Sequence, residues 1–303
     1  TLLSFTRLTH ASTVIQDGYL GQDTVWDKAH SPYIIEDQVF VPGDRSLIIS
    51  PGTSIIASSS LSGLSLIYVQ GGRLQVGDSR GQPVSFSGDS GITLSHANAF
   101  ISNSDIKLSN GLGVYDSSLN LSSTTITGSN SALRTRTSII DIVDSDISEN
   151  KKGIYVEDPN PAPIFPAYLS PRYYFGGEGD ISQDSMVISS TTLKISNTHL
   201  VNNRDFSIKN DDPNFVIAKN NWWGDKDGPS LLSPNKIVGN VYFEPWIKDI
   251  NTKCCSNIVF IPGLEASRLY SDKGIIGNNT LWEPNRNADV SKLYLDNAGK
   301  SNN

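Results

Sequence analysis

The stretches AFISNSDI (residues 99–106), LNLSSTTI (119–126) and IDIVDSDI (140–147) are one eight-residue phrase written three times. Each has an apolar residue, a second one two places on, two polar turn residues, and a further apolar residue at the eighth position. In order these are Ala99, Ile101, Asn103, Ser104 and Ile106; Leu119, Leu121, Ser123, Thr124 and Ile126; and Ile140, Ile142, Asp144, Ser145 and Ile147. The phrase returns as Leu193, Ile195, Asn197, Thr198 and Leu200, and is read once more as Phe215, Ile217, Lys219, Asn220 and Trp222. Successive starts lie 20, 21, 53 and 22 residues apart, and the 53 is read as two periods plus an insertion. A third apolar patch trails each phrase: Val114-Tyr115, Leu133, Ile154-Tyr155-Val156 and Phe206-Ser207-Ile208.

Side chains two apart on a strand share a face. A unit of about 21 residues with three short strands cannot bury that face alone, but stacked units can, each strand pairing in parallel with its equivalent one period later. The expected fold is therefore all-β, a right-handed parallel β-helix with coils of about 21 residues. An antiparallel sandwich shows the same alternation, but the near-constant register across residues 99–222 favours the solenoid. Upstream the pattern loosens. Val39, Val41, Leu47, Ile49 and Ile55 are punctuated by Pro42-Gly43 and Pro51-Gly52, and Leu66, Tyr68, Leu74, Val76, Val84 and Phe86 continue the series.

VFVPGDRSLIISPGTSI (residues 39–55) resembles the opening coils of right-handed β-helix modules of bacterial surface proteins, the pectin-lyase-like fold. Asn220-Asn221-Trp222-Trp223-Gly224, Gly228-Pro229 and Val241-Tyr242-Phe243-Glu244-Pro245-Trp246 resemble their closing coil. Trp222, Trp223 and Trp246 are expected to cap the stack, with Gly224 relieving the turn. The expected division is an N-terminal segment or cap over 1–32, the solenoid over 33–250, and a separate segment over 251–303.

Composition narrows the function classes. The 303 residues carry 24 Lys and Arg against 31 Asp and Glu, a net charge of −7 with no basic block, which argues against a nucleic-acid partner. No apolar run reaches the length of a membrane-spanning helix. The 42 serines, 25 glycines and 15 prolines suit strands and turns rather than helices. Adjacent Cys254 and Cys255 exclude a disulfide framework; a strained vicinal disulfide is less expected than free thiols or a bond to further sequence.

The insertion at 157–185 carries five prolines together with Phe165, Tyr168, Tyr173, Tyr174 and Phe175. Aromatics on a stiffened loop can stack on sugar rings or lipid chains at low entropic cost, so these five are the candidate ligand-binding residues. Packing against the solenoid is the plainer alternative.

Signals for catalysis within the solenoid are weak. Asp211-Asp212 is an adjacent acidic pair of the kind that the paired carboxylates of a glycosidase would need. It lacks the companion motifs of pectin-degrading enzymes, and His10, His30, His96 and His199 are scattered. Gly77-Asp78-Ser79-Arg80-Gly81 spells a G-x-S-x-G, but it joins two expected strands instead of a strand and a helix. Asp225-Lys226-Asp227-Gly228 reads as a plain turn, lacking the distal Glu of a calcium loop. No metal site and no cofactor are expected. Asn120-Leu121-Ser122 and Asn278-Asn279-Thr280 are glycosylation sequons of the kind a Ser- and Asn-rich chain acquires by chance.

Residues 257–270 (NIVFIPGLEASRLY) form an apolar strand running into a Pro-Gly turn. With Leu281-Trp282-Glu283-Pro284, Asp289-Val290 and Leu293-Tyr294-Leu295-Asp296, this segment resembles the start of the lecithin–cholesterol acyltransferase-like branch of α/β hydrolases. The resemblance implies an oxyanion-hole N–H at Leu264 and a lid-loop tryptophan at Trp282. Ala266 stands where that family has Gly. The family's nucleophile, acid and histidine would lie beyond Asn303, so the chain is expected to be a catalytically inactive piece of a longer serine esterase or acyltransferase. The expected function is that of a secreted or cell-surface β-helix module, monomeric, which binds or presents a polysaccharide or lipid. The rivals are a polysaccharide lyase or glycoside hydrolase and a purely structural spacer.

Overall fold

A computed structural model describes residues 12–160, 190–230 and 234–249, all within the compact unit Thr1–Ile250. They form a parallel β-solenoid of the right-handed type, of about 9 turns, with almost no helix. Its strands build three sheets of seven, eight and nine strands, and every named strand pairing is parallel. Each full coil visits the nine-, seven- and eight-stranded sheets in that order, as in Asn98–Ser102, Ser104–Leu108 and Gly111–Tyr115.

The first and third positions of the repeated phrase stack into two columns on the inner side of the nine-stranded sheet. One runs Leu47, Leu74, Ala99, Leu119, Ile140 and Leu193; the other runs Ile49, Val76, Ile101, Leu121, Ile142 and Ile195. The eighth position fills the seven-stranded sheet with Phe86, Ile106, Ile126 and Ile147. All of these side chains are essentially inaccessible to solvent. Each of the Val, Leu, Ile and Phe side chains contributes about 1.5–3 kcal/mol by leaving water, and only because the coil above and the coil below supply the other walls.

The two polar residues of each phrase make a corner. The fifth position bends the chain through left-handed backbone: Asn103, Ser123, Asp144, Asn197 and Asn220 have φ between 47° and 56°. Asn and Asp tolerate that region because their short side chains bond locally. The sixth position turns inward and is buried, as in Ser104, Thr124, Ser145, Thr198 and Asn221. Its oxygen receives the backbone N–H of the preceding coil: Ser145 Oγ accepts from Thr124 N at 3.2 Å, Thr198 Oγ1 from Ser145 N at 3.4 Å, and Asn221 Oδ1 from Thr198 N at 2.9 Å. The Thr124, Ser145 and Thr198 hydroxyls donate back to the carbonyl two residues earlier.

Two further corners repeat the device. Ser117 Oγ accepts from Ala97 N, and Ser138 Oγ from Ser117 N. At the remaining corner Asn150 Oδ1 accepts from Ser129 N at 2.9 Å, and Asn203 Oδ1 accepts from Asn150 N at 3.2 Å and from Asn150 Nδ2 at 3.1 Å. The sequence marks the sixth-position residues of the phrase only as polar turn residues. They are buried ladders between coils.

Three readings of register change. Ile140 pairs directly with Leu193 and Ile142 with Ile195, so the 53-residue gap is a single coil in space. The extra chain leaves after Val156 and returns at Thr192, at the corner between the eight- and nine-stranded sheets. The final phrase is one residue later than read: Lys194 pairs with Ile217, which puts Val216, Ala218, Asn221 and Trp223 inside. Phe215 and Ile217 face solvent at 65% and 40% exposure, because a shift of one residue on a strand exchanges its faces. In the strand Ser65–Gln70 it is Ile67 and Val69 that stack inward, with Leu66 also buried, while Tyr68 faces outward beside an irregularity in pairing with Gly91–Ile92.

The C-terminal end of the stack is closed by Trp223, which is fully buried, with Phe243 and Trp246 packed in succession at centroid distances of 6.5 and 6.0 Å. Trp222 points outward instead and is only half-buried. The turn Asp225–Gly228 closes over Trp246, whose Nε1 donates to the Lys226 carbonyl at 3.0 Å. Gly228, at φ 91°, leaves no room for a side chain against that indole. Strands Thr13–Ile15 and Thr24–Trp26 already pair with the solenoid, through Tyr33–Ile35 and Leu47–Ile49. The segment 251–303, with its expected hydrolase start, lies outside the described residues.

Two stability outcomes follow from these ladders and registers. Asn203→Ala, which strips partners from Asn150 and the Ile147 carbonyl, is expected to lower the unfolding free energy by about 2–4 kcal/mol in urea titrations. Phe215→Ser is expected to change it by less than about 0.5 kcal/mol, whereas Val216→Asp next to it is expected to cost about 3–5 kcal/mol. The reverse order would restore the earlier register.

Candidate ligand-binding track on the eight-stranded sheet

Inward residues of the eight-stranded sheet alternate with outward rows, one of which runs along the solenoid axis from near its start to Lys209. In register it reads Tyr19, Phe40, Tyr68, Thr93, Gly113, Arg134, Tyr155 and Lys209. Neighbours in the row are one strand spacing apart, about 4.8 Å. The track opens with an aromatic stack, Tyr19 on Phe40 and Phe40 on Tyr68, each at 5.8 Å between centroids. It then drops at Thr93 and Gly113 and rises again at Arg134 and Tyr155.

The drop is a groove of about 460 Å³, walled by Leu64, Asn110, Tyr115, Asn130, Arg134, Lys152 and Tyr155 and floored by the backbone of Gly91, Gly111 and Gly113. A Cβ at Gly113 would stand 3.0 Å from the Tyr115 ring, so the absence of a side chain there is what keeps the floor low. Arg136 lies over the Tyr115 ring at 5.9 Å to its centroid and braces it from the next coil.

Beyond the groove, three groups hold one another. Tyr155 Oη donates to Asp211 Oδ2 at 2.8 Å, Lys209 Nζ pairs with the same carboxylate oxygen at 2.7 Å, and the Lys209 ammonium lies 4.8 Å from the Tyr155 centroid. Burial works to raise the Asp211 pKa, but the hydrogen bonds from Lys209 and Tyr155 outweigh it and hold the carboxyl below its ordinary value. Burial, then the bond to Asp211, pushes the Tyr155 hydroxyl up, and the bond to Asp211 does the same for Lys209. The Tyr155 ring is thereby fixed in position. Arg134 Nε hydrogen-bonds Glu157, the residue at which the insertion begins.

Most of the chemistry sought in sequence falls elsewhere. Asp212 turns inward, where its carboxylate accepts from Thr191 N and Asn214 N, each at 2.8 Å, while Asp211 faces out. The two therefore do not face a common substrate. His30 pairs with Asp27, His96 sits at a left-handed corner, and His199 lies 3.9 Å from Asp146 on another face. Gly77–Gly81 is a turn between two strands in which Asp78 accepts from Arg80 N and Gly81 N. Asn120 is exposed in mid-strand. Among the described residues no group of three or more metal-binding side chains occurs. Phe165, Tyr168, Tyr173, Tyr174, Phe175, Leu264 and Trp282 lie outside the described residues, as do Cys254 and Cys255.

The track itself was not singled out from sequence. Its members differ in type, and their one shared mark is standing immediately after an inward residue of the third strand, a relation visible once coils are aligned. Comparison with protein-family models, with curated proteins and with solved structures returns no match.

Stability should report the Asp211 interaction through pH. Its folded pKa is below the unfolded one, so its contribution is complete above the ordinary Asp value of 3.8 and disappears as pH falls through the lowered value. In unfolding titrations, wild type is expected to exceed Asp211→Asn at pH 6, with the gap closing below pH 3.8. A gap independent of pH would remove the ionic account.

Proposed function

We propose that this chain is the glycan-binding β-helix module of an exported, secreted or surface-held protein, and that its solenoid binds an extended polysaccharide rather than cleaving it. The observation that carries the reading is the outward track: aromatic rings on either side of a glycine-floored groove, in straight register along the axis. Tyr68 and Tyr155 stand four strand spacings apart, roughly 19 Å, a span suited to a few sugar units in line. Flat rings cover the apolar faces of sugars at little entropic cost, while Asn110, Asn130 and Arg134 supply polar partners for hydroxyls.

Two features favour binding over cleavage. Among the described residues the groove is lined by neither Asp nor Glu, the residues that acid–base hydrolysis of a glycosidic bond uses. The Asp211 carboxylate next to it is occupied by Lys209 and Tyr155. The insertion springs from the corner bordering the track, with Glu157 at its start bonded to Arg134, so Phe165, Tyr168, Tyr173, Tyr174 and Phe175 belong to a segment rooted beside the groove. The resemblance of residues 257–303 to the acyltransferase-like hydrolases supports a lipase- or acyltransferase-like host, in which Leu264 and Trp282 would serve the hydrolase and the solenoid would hold it at a glycan-rich surface.

Glycan-array binding of the full 303-residue chain tests the reading. Tyr155→Ala is expected to weaken the best glycan about tenfold, and Gly113→Leu to abolish its binding by filling the groove. Deleting 157–185 is expected to reduce affinity further. The chain itself should give no turnover of a p-nitrophenyl ester. Glycan binding unaffected by both groove variants would place the site elsewhere.

A further inference from the structure

We infer that the groove selects an anionic glycan, one bearing carboxylate or sulfate groups, and that Arg134 and Lys152 read that charge. The inference rests on the glycan-binding reading above and narrows its ligand. The protein as a whole is acidic, with a net charge of −7, yet among the described residues the two ionised side chains lining the groove are both cations. A concave site of one sign concentrates ligands of the other, and here it does so on a molecule that otherwise repels them.

The two cations are presented differently. Lys152 makes no ion pair among the described residues, so its ammonium can take an incoming anion without first losing a partner. Arg134 bonds Glu157 through Nε, an arrangement that orients the planar guanidinium and leaves its terminal N–H groups for an oxyanion. Arg134 pairs in register with Tyr155, and Lys152 precedes Tyr155 by three residues on that strand. The cations are therefore offset by roughly 10 Å along the strand direction. A glycan lying across Gly113 would meet both cations on the two coils that follow, Arg134 in register with Gly113 and Lys152 offset along the strand, with its ring against Tyr115 or Tyr155. Asn110 and Asn130 complete the wall with neutral amides.

The test uses the full chain with three probes: neutral dextran, dextran sulfate and alginate. The expected result, by isothermal calorimetry at low salt, is binding of at least one polyanion at least tenfold tighter than dextran. That advantage should shrink as salt is added. It should be lost in Lys152→Gln and in Arg134→Gln/Lys152→Gln, and kept in Lys194→Gln on the outer side of the nine-stranded sheet. Lys152→Gln alone disturbs no ion pair, so it remains informative if the double variant is destabilised. Whichever polyanion binds separates sulfate from carboxylate recognition. Equal binding of dextran and the polyanions, or a polyanion preference retained in Lys152→Gln and the double variant, overturns the inference. If dextran then binds and is lost in Gly113→Leu, the glycan-binding reading still stands. Absence of binding to all three overturns both.

Discussion

Everything in this structure depends on the hydrogen bonds that tie one corner to the same corner of the next coil. A parallel strand ladder can slide by a residue at modest local cost, and each slide exchanges the buried and exposed faces. The inward Ser, Thr and Asn at the corners prevent it. Each accepts a backbone N–H from the preceding coil at one fixed height, as Asn203 does from Asn150 and Asn221 from Thr198. In the apolar interior a mismatched register would leave those groups unpaired, at about 1–3 kcal/mol each. The left-handed residue just before each of them supplies the bend that turns its neighbour inward. Corner geometry and register are thus one constraint.

With register held, hydrophobic burial acts along columns rather than in a single central core. Ile142 touches its counterparts Leu121 and Ile195, and every interior rung has the same two neighbours. Such a stack is weakest where it stops, since the last rung lacks one of them. The C-terminal end meets this with Trp223, Phe243 and Trp246 and a turn closed over the last indole. Near the other end Trp26 stacks on Tyr33 at 4.9 Å. Large flat side chains suit both places because each covers a whole coil's width of exposed aliphatic surface.

The same register assembles the candidate site. Tyr68, Gly113, Arg134, Tyr155 and Lys209 are far apart in sequence, yet stand in line because each directly follows an inward residue of its strand. The long insertion interrupts one coil without disturbing this, since Ser145 still meets Thr198 and Asn150 still meets Asn203 across 53 residues of sequence. A solenoid tolerates such an excursion because each coil requires only its neighbours. The corner where the excursion leaves is also where Arg134 reaches Glu157, which couples the groove to the base of the inserted segment.

The parallel solenoid was legible in the repeated phrase because its apolar spacing is set by the two-residue period of a strand and the near-constant length of a coil, both local properties of the chain. The composition and the lack of a basic block were legible for the same reason. What the tertiary structure alone decided were matters of alignment between distant residues. The final phrase had two readings one residue apart, FVIAKNNW being apolar on both faces, and pairing of Lys194 with Ile217 chose the one that buries Val216 and Trp223. The jump from Ile140 to Leu193 is one coil because space, not sequence length, counts coils. The groove at Gly113 exists because a glycine in one coil falls between a threonine in the coil before and an arginine in the coil after, a coincidence of register that no local pattern encodes.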